Sequence, residues 1–180
     1  MSKIGRKPVA LQDVKVELKG QEVHYTGKHA SGIHILPEVL EAKIDGGQLL
    51  ITAKKKTRDA RQTWGLHRAL VSNKITGAHV PFEKQVKIVG LGYKAIAKGD
   101  KLEFSLGFSH KIEVPVPKGI SVDINKTGQL LTVRSPDREL LGKICGELCD
   151  LRPTEPYKGT GVRLTTDVVI RKAGKTKAAG

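Results

Sequence analysis

The chain has 180 residues, with 32 Lys and Arg against 18 Asp and Glu and a formal charge of +14 at pH 7. Like charges repel in a compact state, so this surplus points to a polyanionic partner, and nucleic acid is the commonest one. A membrane surface is disfavoured because no amphipathic basic helix or lipidation signal is visible, and the absence of a secretory signal, a spanning apolar run and a disulfide framework points to a reducing, cytosol-like compartment.

The predicted elements follow two similar series. In the first, Val14, Val16 and Leu18 alternate with polar residues, as do Val23 and Tyr25, Ile33 and Ile35, and Leu49 and Ile51. Such alternation between Gly, Pro and Asn breaks predicts half-buried strands. A helix is expected from about Asp59 to Lys74, with Leu66, Ala69 and Leu70 on its apolar face and Trp64 alongside. In the second series the strand signals are Val86/Ile88, Ala95/Ala97, Leu102/Phe104/Leu106, Ile112/Val114, Ile120/Val122/Ile124 and Leu131/Val133. Ser135-Pro136 then reads as a helix start, with Ser as cap and Pro in the first turn. Leu141, Ile144, Cys145, Leu148 and Leu151 recur at helical spacing until Pro153 and Pro156. Arg163 to Arg171 is a candidate last strand.

Gly-Gln-Leu-Leu at residues 47–50 returns at 128–131, 81 residues later. With the matching order of elements around it, this indicates an internal duplication. The expected fold is α+β: two similar small domains, each an antiparallel-rich sheet packed with one helix. The expected boundaries are 1–81, 82–172 and a basic tail at 173–180.

Chemical motifs are sparse. Gly90-Leu91-Gly92-Tyr93-Lys94-Ala95 fits a relaxed dinucleotide fingerprint, but that motif must open a helix, and Lys98-Gly99-Asp100 follows too soon. A Gly-rich hairpin carrying Lys94 is expected instead. Gly174-Lys175-Thr176 resembles the end of a phosphate loop but lacks the earlier glycine, since residue 169 is Val169. Cys145 and Cys149 have no second ligand pair, so Cys145 reads as core rather than as a zinc ligand. His24 and His34 are expected on exposed strand faces, and His110 in a loop. No nucleophile elbow or carboxylate pair suggests catalysis.

The charge is densest from Arg152 onward, where seven bases face Glu155 and Asp167. The stretch Arg152 to Arg163 combines stiff prolines, glycines, Lys158 and the ring of Tyr157, which suits a folded RNA surface. Lys54-Lys55-Lys56 is either a phosphate contact or a solvated loop.

Met1-Ser2-Lys3-Ile4-Gly5-Arg6-Lys7-Pro8-Val9, the 90–95 glycine segment, Ser105-Leu106-Gly107-Phe108-Ser109-His110, Glu155-Pro156-Tyr157-Lys158-Gly159 and Gly161-Val162-Arg163 together resemble the bacterial-type L-six family of large-subunit ribosomal proteins. The resemblance runs nearly end to end. Thr154, Thr160 and Leu164 depart from the family pattern of Pro, Lys and an aromatic at those positions. The resemblance implies a non-enzymatic, cofactor-free component of the cytoplasmic ribosome, monomeric within it, with no small-molecule substrate or membrane. It also implies binding to 23S-type rRNA, chiefly through the second domain (82–172) and the tail, near the stalk base and factor-binding region, beside neighbouring large-subunit proteins. The candidate RNA-binding residues are Lys94, His110, Lys111, Arg152, Tyr157, Lys158, Arg163, Arg171, Lys172, Lys175 and Lys177.

Overall fold

The computed structural model describes residues 2–54 and 57–174. The chain forms two compact units, Met1–Phe82 with Pro136–Arg138, and Glu83–Ser135 with Glu139–Gly180. Among the described residues no helix is long and apolar enough to cross a membrane.

Unit 1 runs β1 (Val9–Ala10), β2 (Lys15–Lys19), β3 (Glu22–Thr26), β4 (Ser31–Ile35), β5 (Leu40–Asp45), β6 (Gln48–Ala53) and α1 (Arg58–His79). Its strands form two antiparallel sheets, ordered β1-β6-β5 and β2-β3-β4. Both sheets and the helix close on one core that includes Val9, Val23, Leu40, Leu49, Ile51, Trp64, Val71 and Ile75. Thr57 caps α1, its hydroxyl accepting from the Ala60 amide.

Unit 2 repeats this plan with β7 (Phe82–Val89), β8 (Lys94–Lys98), β9 (Lys101–Ser105), β10 (Ile112–Pro115), β11 (Ser121–Ile124), β12 (Leu130–Ser135) and α2 (Arg138–Asp150), then adds β13 (Gly161–Leu164). The sheets are β10-β9-β8 and β11-β12-β7-β13. Thus β7 stands where β1 stands, the β8–β10 sheet matches β2–β4, and β11-β12 matches β5-β6. The fold is α+β with a duplicated plan.

The Gly-Gln-Leu-Leu identity does not mark equivalent positions, however. Leu49 and Ile51 point inward in β6, whereas Leu131 and Val133 do so in β12, which are 82 residues on rather than 81. In unit 1 the hairpin closes through Gly46-Gly47, with Asp45 opposite Gln48. In unit 2 the turn is longer: Asn125 accepts through its side chain from the amides of Gln129 and Leu130, and Ile124 lies opposite Leu131. Because side chains alternate with period two, the one-residue difference moves the matching leucines to opposite faces.

Four sequence expectations change. Helix α1 is longer than expected, and its inward face is Ala60, Trp64, Val71, Ile75 and Ala78, while Leu66 is 55% exposed. The buried set follows the 3.6-residue period from Trp64, and Leu66, two residues on, falls on the far side. Trp64 also donates its indole N–H to the Ile51 carbonyl at 2.7 Å, which fixes the helix rotation. In β4 the faces are reversed: Ile33 and Ile35 are exposed and His34 is buried. Pairing with β3 places Val23 opposite His34, so the inward face of β3 dictates the inward residue of β4. Helix α2 begins at Arg138, after β12 has ended at Ser135, so Pro136 precedes the helix instead of sitting in its first turn. Finally, β13 ends at Leu164, and residues 165–174 continue without regular structure, leaving Val168 and Ile170 exposed.

Buried His34 is accommodated by a hydrogen-bond chain. The Lys74 ammonium donates to His34 Nδ1 at 3.2 Å, and His34 Nε2 lies 3.0 Å from His67 Nδ1. Lysine has only donors, so His34 carries its proton on Nε2 and donates it to His67. Burial, with the Lys74 charge and His67 adding to it, pushes the His34 pKa from its ordinary 6.5 down to about 4. In that window the unfolded chain binds a proton that the folded chain does not, so folding stability falls as pH drops from 6.5 to about 4. The loss amounts to at most about 3 kcal/mol. Denaturant melts across this range should show the decline, and the same series on His34→Asn should be flatter.

Candidate nucleic-acid interface

The candidate surface lies in unit 2, on the segments that leave β9 and α2. Strand β9 ends in a loop carrying Phe108 and His110, and α2 exits into Arg152. Arg152 is half-buried. Its Nη1 donates to the Leu106 carbonyl at 2.6 Å, and its guanidinium lies 4.9 Å from the Phe108 ring centre and 5.2 Å from that of Tyr93. A cation over two aromatic rings is held by their negative faces. The Arg152 carbonyl in turn accepts from the Val162 amide at 2.8 Å. One residue therefore ties together the Gly90–Tyr93 turn, the 105–111 loop, the end of α2 and the start of β13. His110 stacks on Phe108, with ring centres 6.1 Å apart and planes 24° from parallel.

The expected hairpin at residues 90–95 is instead a crossover. It leaves β7, which pairs with β12 and β13, and enters β8, which pairs with β9 in the other sheet. Tyr93, carried by this crossover, reaches Arg152. Lys94 opens β8 opposite Ser105, exposed beside the turn of β11 and β12 that carries Lys126.

Beyond Arg152 the chain forms a self-bonded loop. The Glu155 amide donates to the Thr160 carbonyl at 2.9 Å and the Gly159 amide to the Glu155 carbonyl at 3.0 Å. The Thr160 hydroxyl donates to the Glu155 carboxylate at 3.1 Å. Segment 165–174 folds back on this loop, with the Lys172 amide donating to the Pro156 carbonyl at 2.9 Å. Gly159 has φ +71°, and a Cβ there would lie 3.2 Å from the Arg171 guanidinium. The glycine thus permits both the turn and the close seat of Arg171. Tyr157, Lys158, Arg171 and Lys172 are brought to one exposed end of the unit by these bonds.

The remaining candidates are placed differently. Lys111 donates to Glu103 at 2.7 Å, and Lys98 holds the other carboxylate oxygen. These bonds, Lys111 first, hold the Glu103 carboxyl below the usual range although its residue is only 4% exposed. Lys111 therefore shares with Lys98 one carboxylate, which offsets one of their two charges. Arg163 is half-buried on β13 opposite Lys87, lining a shallow groove with Cys149 and Asp167. Lys175 and Lys177, and with them the Lys175-Thr176 of the phosphate-loop-like segment, lie outside the described residues, as do Lys55 and Lys56. Cys145 is buried in the core, and burial raises its thiol pKa. Among the described residues no three His, Cys, Asp or Glu side chains are grouped to hold a metal ion.

Sequence reading missed the clamp formed by Tyr93 and Phe108 on Arg152. Both rings lie within the glycine-bearing segments that carried the family resemblance, so the available signal was an aromatic directly after a glycine, Gly92-Tyr93 and Gly107-Phe108.

The structure is a duplicated α+β protein with exposed basic loops. A family model for ribosomal protein L6 matches residues 89–164. The chain is 38% identical to the large ribosomal subunit protein uL6 of Campylobacter fetus over 178 residues, 98% of each chain. It is 40% identical to that of Campylobacter lari over 178 residues, again 98% of each, and 37% identical to that of Methylacidiphilum infernorum over 177 residues, 98% of each. The chain belongs to the ribosomal protein L6 family, whose role is structural rather than enzymatic.

Replacing Arg152 with Ala removes one charge-assisted hydrogen bond and two ring contacts. The expected loss is about 2–4 kcal/mol, read as a lower denaturant midpoint. An unchanged midpoint would mean that the clamp does not hold the loops.

Proposed function

We propose that this chain is a structural component of the large ribosomal subunit in the cytoplasm, where it binds 23S-type rRNA and stabilises its fold near the stalk base and factor-binding region. The observation that carries the reading is end-to-end kinship with proteins named as large ribosomal subunit components. The exposed group of Tyr157, Lys158, Arg171 and Lys172 supports unit 2, broadly residues 82–172, as the principal RNA contact.

The mechanism is charge neutralisation followed by shape selection. Lys and Arg displace counterions condensed on RNA phosphates, and preformed loops then accept only a folded RNA surface. Tyr157, half exposed at a loop tip, offers a flat face to a base or sugar. Arg152 contributes less as a direct contact than as the residue that holds His110 and the 153–160 loop in place. Neighbouring large-subunit proteins complete the environment, and the chain acts as a monomer there, without cofactor or small-molecule substrate.

Purified protein should bind large-subunit rRNA with an affinity that falls steeply with salt, the log–log slope reaching several units if roughly six to ten phosphates are neutralised. A salt-independent affinity contradicts the mechanism. In the same titration, combined Lys158→Gln, Arg171→Gln and Lys172→Gln should lower the slope by about two to three units, whereas Lys54→Gln should leave it nearly unchanged. Equal losses from both would place the contact elsewhere.

A further inference from the structure

We infer that unit 1 carries a second phosphate-binding strip for structured RNA, built from residues 2–8 and the first turns of α1. This inference rests on the RNA-binding reading above and extends it to a surface whose residues were not among the candidates.

The strip starts with how the N-terminal arm is held. Gly5 is buried against the Trp64 indole so closely that a Cβ would come within 2.7 Å of the ring. Gly65 leaves a bare place on α1 where Ser2 lies, since a Cβ there would be 2.9 Å from Ser2 Oγ. Arg68 donates from Nε to the Lys7 carbonyl at 3.0 Å and from Nη2 to the Pro8 carbonyl at 2.9 Å. The arm is further turned by the Gly5 amide donating to Ser2 Oγ at 3.1 Å and the Lys7 amide donating to the Ile4 carbonyl at 3.2 Å. It is therefore a preformed element.

This anchoring leaves Lys3, Arg6 and Lys7 exposed. On α1, Arg58, Arg61, Gly65 and Arg68 recur at spacings of three and four residues, which aligns them along one face. From Arg58 to Arg68 the helix rises about 15 Å. Arg58 and Arg61 are exposed and continue the basic strip beyond the arm. Among the described residues, Lys3, Arg6, Lys7, Arg58 and Arg61 form no ion pair and no side-chain hydrogen bond. Asp59 is the acid of the first helical turn, and residues 2–8 contain none. By contrast, Lys98, Lys101, Lys111 and Arg134 in unit 2 are each paired with a carboxylate.

Unpaired cations on a rigid arm repel one another and contribute nothing to folding. Ile4 is the exposed large apolar side chain of the arm, too little for insertion into a lipid surface. A rigid, acid-poor row of Lys and Arg fits a regularly charged backbone, where each contact releases counterions.

The test compares full-length wild type with two triple variants, Arg6→Gln/Lys7→Gln/Arg61→Gln in the strip and Lys158→Gln/Arg171→Gln/Lys172→Gln in unit 2. The probe is a transcript of large-subunit rRNA, titrated over a salt series, with thermal melts alongside. The strip variant should melt like wild type and bind on the order of ten- to a hundredfold more weakly at moderate salt, with the slope lowered by about two to three units. The charge-keeping set Arg6→Lys/Lys7→Arg/Arg61→Lys should retain the wild-type slope, which separates a phosphate contact from a folding defect. If the strip variant keeps the wild-type affinity and slope while the unit 2 variant loses both, the strip is not an RNA contact and the proposed function stands. If the strip variant keeps its RNA affinity but loses binding to phosphatidylserine vesicles, the strip belongs to a membrane surface and the inference fails. If the wild type does not bind the transcript, both readings fall.

Discussion

Strand register is the constraint on which each unit depends. A single helix must cover two small sheets, so every strand has to turn its alternating apolar set toward the same core. A slip of one residue would put that set in water. The effect is visible in β4, where pairing with Val23 brings His34 inside and leaves Ile33 and Ile35 outside. It is equally visible in the paired hairpins, where a longer turn at Asn125–Gln129 changes which leucine of a repeated motif is buried. Once the register is set, the outward faces and loops are free to carry charge.

That charge is divided in two ways. Acids are the minority and are used to hold particular bases: Glu103 binds Lys98 and Lys111, and Glu83 and Asp123 bind Arg134. These pairs stiffen the sheets and contribute little outward field. Bases without an acid partner include Lys158, Arg171 and Lys172 at the 153–174 end of unit 2 and Lys3, Arg6 and Lys7 on the N-terminal arm of unit 1. A count of Lys and Arg therefore overstates the outward charge of some segments, because Glu103 offsets one of the two charges of Lys98 and Lys111.

Arg152 illustrates a related distinction. Composition marks it as the start of the most basic stretch, which suggests a phosphate contact. Its bonds to Leu106, Tyr93 and Phe108 make it first of all the fastening between three loops. Tyr157, Lys158, Arg171 and Lys172 are residues of that stretch whose side chains stay in solvent and carry its charge and its ring. They meet because Lys172 bonds back to Pro156 and Arg171 rests on Gly159, a fold-back that no local pattern announces.

The sequence alone determined the α+β class, the duplicated plan, the family and most of the elements in order, since each follows from local period, turn residues and short motifs; β1 (Val9–Ala10) and β5 (Leu40–Asp45) carried no alternation that marked them as strands. It also marked the 152–172 segment by its charge. The tertiary structure decided which face of β4 and α1 is buried, where α2 begins, and which bases are paired and which remain exposed. Those outcomes depend on partners distant in the chain, such as Val23 for His34, Ile51 for Trp64 and Glu103 for Lys111. Alternation and helical period show that one side of an element is apolar, but only contact with the rest of the fold selects the side that is covered.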